Sequence, residues 1–124
     1  MLKTLRYPFC KIEVYDDYVI SYINEGHHLT PENNKVLEAI AKDYFKDKSF
    51  VYITHRKHSY SVDPFIYIQT SKIKNLLGFA VVAQAPLSKG NAEIERLFFN
   101  HKPFEIFTSL EAVKIWAYNI LNHD

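Results

Sequence analysis

Between residues 11 and 24, apolar and polar positions alternate in two short runs, KIEVY and YVISYIN, joined across Asp16 and Asp17. Period-two alternation of β-branched and aromatic residues around a polar two-residue joint predicts a β-hairpin. The period then changes. In TPENNKVLEAIAKDYF, Val36, Leu37, Ile40, Ala41, Tyr44 and Phe45 recur at steps of three and four, which is one buried face of a helix. Thr30 is placed to cap it, and Pro31 sits where a missing N–H is harmless. Residues 49–54 follow as a short continuous apolar run, the pattern of a strand covered on both faces.

The second half repeats the alternation of helix and strand. Asp63 and Pro64 introduce a helix over FIYIQTSKIKNLLG, although three isoleucines and Tyr67 lose rotamer freedom in that state. FAVVA, residues 79–83, predicts a second buried strand closed by Pro86. Ser88 then caps a helix reaching Asn100, with Ile94, Leu97 and Phe98 on its apolar face, Glu93, Glu95 and Arg96 toward solvent, and Gly90 a mild penalty. After Lys102, PFEIF reads as a further strand. In TSLEAVKIWAYNIL, Thr108 and Glu111 have the spacing of a capping box, and Leu110, Val113, Ala117, Ile120 and Leu121 line the helix with Trp116 beside them. The order ββαβαβαβα predicts one α/β domain over residues 1–124, a single mixed sheet of about five strands with about four helices and right-handed crossovers.

Composition agrees with one packed core. Hydrophobic residues make up 48% of the 124, including nine Phe and nine Tyr, against three Gly and five Pro. Fifteen basic and fourteen acidic residues give a net charge of +1, with no basic footprint for a nucleic acid. A single cysteine, Cys10, forms no internal disulfide and no cysteine zinc cluster, which fits a reducing compartment. The N-terminus lacks the apolar core of a secretory signal, and no run of eighteen apolar residues spans a membrane. A cytoplasmic protein is the expectation.

Three segments, FVYITHRKHSYSVDP, GFAVVA and KPFEIFTSLEAVKIWA, resemble the STAS domain superfamily, whose fold is SpoIIAA-like, and especially its uncharacterised bacterial STAS/SEC14 branch. The resemblance extends from Lys11 to Leu121. It implies a SpoIIAA-like fold and a regulatory module without catalysis or cofactor. Antagonists of this superfamily bind a partner kinase or switch protein through a serine at the start of the helix after the third strand, and phosphorylation of that serine changes the contact. Their phosphoacceptor usually sits in an acidic D-S/T-S-G/A turn. Here the corresponding segment, HRKHSYSVDP, carries cations in place of the acidic residue.

That segment holds the candidate site. Arg56, Lys57 and His58 supply positive charge beside a helix start, the chemistry of an anion or partner contact. Ser59 and Ser61 are candidate phosphoacceptors, and Asp63 is either part of the contact or a cap. His55 with His58, and His27 with His28, have the makings of metal ligands only if their loops meet. No G-x-S-x-G motif, phosphate-cradling glycine loop or dinucleotide fingerprint is present. The first reading is a non-enzymatic interaction module with a protein partner. The second is a SEC14-like carrier of a small apolar or lipid ligand, and an enzyme ranks last. A homodimer is a further reading, suggested by the excess of tyrosine.

Overall fold

A computed structural model describes residues 2–57, 60–99 and 101–122. Among these residues the main sheet has six strands. The predicted hairpin is β2 (Cys10–Val14) with β3 (Tyr18–Ile23), antiparallel with Val14 opposite Val19. An additional edge strand, β1 (Lys3–Tyr7), pairs antiparallel with β2. Lys3 and Arg6 mark it as an edge, because charges there oppose pairing with another chain. From β3 onward the sheet is parallel through β5 (Phe50–His55), β7 (Leu76–Val82) and β8 (Phe104–Phe107). A separate parallel pair joins β4 (His28–Leu29) to β6 (Ser61–Val62).

Alternation along the strands builds two apolar layers. Phe50, Tyr52, Phe79 and Val81 face α1 (Pro31–Ile40), α2 (Phe65–Ser71) and α3 (Pro86–Arg96) through Leu37, Ile40, Tyr67 and Ala92. Val51, Ile53, Ala80 and Val82 face α4 (Leu110–Leu121) through Val113 and Ala117. Each fully buried aliphatic side chain contributes about 1.5–3 kcal/mol of transfer free energy, so these layers dominate the driving force.

Local chemistry at the first helix follows the sequence. Thr30 Oγ1 accepts from the Asn33 N–H at 3.2 Å while Asn33 Oδ1 accepts from the Thr30 N–H at 3.1 Å, a reciprocal cap. α1 continues into a π-helical turn, Ala41–Phe45, closed by the Lys46 N–H on the Ala41 carbonyl at 3.0 Å. The wider turn changes which side chains share a face. Phe45 stays buried and stacks on Phe50 at 4.4 Å, whereas Tyr44, expected inside, is 40% exposed.

Several boundaries and one helix face differ from expectation. α2 ends at Ser71, and Leu76, Leu77 and Gly78 join β7 instead. α3 starts two residues before Ser88, with Ala85 at its cap and no side-chain cap bond, and it ends at Arg96, short of Asn100. Ser109, not Thr108, caps α4, accepting from the Ala112 N–H at 3.2 Å. The face of α3 is the larger correction: Ala92 is fully buried and Glu95 points inward, while Leu87, Ile94 and Leu97 are 74%, 60% and 77% exposed. A small alanine lets α3 lie close to the sheet, and an inward carboxylate meets a buried cation.

Candidate functional site at the end of β5

The loop of residues 55–64 leaves the carboxyl end of β5, the usual side for sites in parallel sheets. Its first residues prolong the sheet, since the Arg56 N–H donates to the Val82 carbonyl at 2.9 Å. The Arg56 side chain then turns inward. It is 4% exposed and forms an ion pair with Glu95, which is 14% exposed. Its Nε donates to Tyr60 Oη at 3.1 Å and an Nη to Tyr67 Oη at 3.2 Å, and Tyr67 Oη donates to Glu95 Oε1 at 2.6 Å. Thr54 Oγ1 and Tyr60 Oη complete the chain at 2.8 Å.

Burial opposes the charge on Arg56, but Tyr60, Tyr67 and Glu95 together outweigh it and hold the guanidinium above its ordinary pKa. Burial, with Glu95 adding to it, drives the Tyr67 hydroxyl well above its ordinary value, so it remains a proton donor. These groups tie the loop root to α2 and α3. Arg56 is therefore engaged inside the protein.

The other sequence candidates are distributed around this root. Lys57 is exposed, its Nζ 5.2 Å from the centre of the Tyr22 ring. Ser61 is exposed, with Oγ 2.7 Å from His28 Nδ1. Asp63 Oδ1 accepts from the Phe65 N–H at 3.0 Å, but Pro64 and not Asp63 holds the N-cap position, and the helix begins at Phe65. His58 and Ser59 lie outside the described residues. Lys57 lines a groove of about 460 Å³ with His55 and Gln84, and Ser61 lines another of about 350 Å³ with Gly26, Leu87 and Asn91.

The histidines have separate duties. His27 stacks on Phe9 at 5.1 Å and bonds Asn33 Oδ1 at 2.8 Å. His55 lies 5.4 Å from the Tyr22 ring with Nδ1 buried and without a hydrogen-bond partner among the described residues, and burial first, then Lys57, lowers its pKa. Among the described residues, no three of His, Cys, Asp and Glu converge on a metal position. The Ser61–His28 bond resembles half of a nucleophile and base pair, but it spans the short β4–β6 ladder at the surface, and no carboxylate orients His28 among the bonds described.

Sequence reasoning passed over Tyr60, Tyr67 and Glu95. Glu95 carries no local signal, because its partner lies 39 residues away and its neighbours on α3 are charged.

No family model matches the chain, and no curated protein does. Among solved structures, it is similar to the crystal structure of an uncharacterized protein from the DUF3478 family, with a SpoIIAA-like fold, from Shewanella loihica PV-4. The TM-score is 0.57 at 17% identity, covering 87% of this chain and 91% of that one. The chain has a SpoIIAA-like fold. In this SpoIIAA-like domain the 55–64 loop connects the second parallel strand to α2, and its root is fixed by the Arg56 network. No helix among the described residues is long and apolar enough to cross a membrane.

Proposed function

We propose that this SpoIIAA-like domain is a non-enzymatic, cytoplasmic regulatory module that binds a protein partner through the 55–64 loop and the adjoining start of α3. The observation that supports this reading is the division of labour within the loop. Arg56 is committed to Glu95, Tyr60 and Tyr67, while Lys57 and Ser61 face outward and Ser61 shares a groove with the exposed Leu87. A rigid root with a polar, apolar-rimmed outer face is suited to docking, since less ordering entropy is lost on contact.

Ser61 is the loop hydroxyl we assign as phosphoacceptor. A phosphate there would replace the bond to His28 with a charged group beside that imidazole, altering the docking face. The carrier reading has less support. The interior space between Tyr52, Tyr60, Ile66 and Phe79 is about 10 Å³, room for about one water. A groove of about 750 Å³ beside the π-helical turn is lined largely by charges, among them Glu38, Lys42, Asp43 and Lys72.

Photo-crosslinking from position 57 or 61 in native cells tests the reading, combined with intact-mass analysis. Capture of one partner, lost with Lys57→Glu or altered with Ser61→Asp, is the expected result. An absence of any loop-dependent adduct would overturn it.

A further inference from the structure

Leu87, Gly90, Ile94 and Leu97 occupy one outward face of α3 and are spaced three, four and three residues apart. The three large side chains are 74%, 60% and 77% exposed, whereas Ala92 on the opposite side is fully buried. Glycine in a helix interior weakens it relative to alanine, and the monomer supplies no reason for Gly90. A Cβ added there meets nothing within 4 Å. The face thus combines exposed apolar bulk with an open backbone position at its centre.

We infer that α3 pairs with α3 of a second copy of this chain, antiparallel about a two-fold axis near Ala92. The decisive feature is that the three-four-three spacing reads the same in both directions. Antiparallel pairing then sets Leu87 opposite the second copy's Leu97, and Ile94 opposite the second copy's Gly90, each contact occurring twice. Isologous contacts require this self-complementarity, and large against small is how helix surfaces interlock. The flank agrees in charge: Lys89 comes alongside the second copy's Glu93. Arg96, 3.5 Å from Glu93 in its own chain, offsets the approach of the two Glu93 carboxylates. Mixed signs on this flank favour a second copy over an anionic membrane surface.

An 11-residue helix is about 16 Å long, and stable interfaces usually bury about 800 Å² per partner, so this contact belongs to the weak, concentration-dependent class. The inference shares Leu87 with the proposed partner face but rests on the spacing of Leu87, Gly90, Ile94 and Leu97 and not on that reading.

Sedimentation velocity of the full chain, from low to several hundred micromolar, is expected to show monomer giving way to dimer. Ile94→Glu should raise the dimer Kd about thirtyfold, as for a central anchor. Gly90→Leu should do the same with the monomer's circular dichroism unchanged, because the space around that Cβ is open in the fold. Mixing Leu87→Cys with Leu97→Cys should give the mixed disulfide in preference to either homodisulfide. A monomer at every concentration, with or without binding to anionic vesicles, overturns the inference, as do dominant homodisulfides or a dimer indifferent to both Gly90→Leu and Ile94→Glu. Loss of loop adducts with an intact dimer would count against the loop reading alone.

Discussion

Arg56 and Glu95 form a buried ion pair between the end of β5 and the last turn of α3, with side chains 4% and 14% exposed. Such pairs carry a large desolvation cost, so removing one member leaves an uncompensated charge. Breaking a buried pair in this way typically costs about 3–5 kcal/mol, while replacing both members by apolar groups is often neutral. Glu95→Leu is accordingly expected to lose about 3 kcal/mol or more in urea unfolding. Arg56→Met combined with Glu95→Leu should recover most of that loss, although Tyr60 and Tyr67 then lack a partner and limit the recovery. Equal destabilisation by the single and double variants would show that the pair is not the source.

Gly78 tests the packing of α4. A Cβ at this position would sit 2.9 Å from Trp116 Cη2 and 3.1 Å from Ile120 Cδ1, so the helix lies on the strand only because the side chain is absent. Over-packing a core of this kind usually costs about 1–3 kcal/mol. Gly78→Ala should destabilise by that amount, and adding Trp116→Phe should restore part of it. A Gly78→Ala variant as stable as the parent would mean that Trp116 has room to shift.

What could be read from the sequence was chiefly local. Thr30 and Pro31 specify a helix start within four residues, and the Asp16–Asp17 joint lies between two runs that alternate toward one core. The strand β1 escaped notice because KTLRY has no strong alternation and its partner supplies the order. The orientation of α3 was also hidden. Its apolar residues suggested a buried face, yet Ala92 and Glu95 are the ones that meet the sheet and Arg56, at separations no local window contains. At the loop, the sequence singled out the right segment, but a cation in a polar loop looks free until Tyr60, Tyr67 and Glu95 are placed around it.

His55 gives stability a pH dependence of defined sign. Burial and the nearby Lys57 lower its pKa below the ordinary 6.5 in the folded chain, with Glu13 a smaller opposing influence. Between the folded and unfolded values the unfolded chain binds more protons, so this contribution is complete above the unfolded value. It diminishes as pH falls through 6.5 toward the folded value. Chemical denaturation at about pH 7.5 and about pH 5.5 should show less loss on acidification for His55→Gln than for the parent. Lys57→Gln should raise the imidazole pKa followed by NMR. An unchanged His55 titration in that variant would remove Lys57 as a cause.

Cys10 opens β2 at 3% exposure, opposite Ile23 in the sheet, and burial pushes its thiol up to about 12. The thiolate is the reactive form, so both access and ionisation are suppressed in the folded chain. Alkylation by iodoacetamide under native conditions should therefore proceed only as fast as the protein opens, and should accelerate in urea along the unfolding curve. Cys10→Ser is expected to cost about 1–3 kcal/mol by placing a hydroxyl where a weakly polar thiol packs, with Cys10→Ala costing less. Rapid stoichiometric labelling of the native protein, with its circular dichroism intact, would show instead that the β2 edge of the core opens locally and that burial does not protect this thiol.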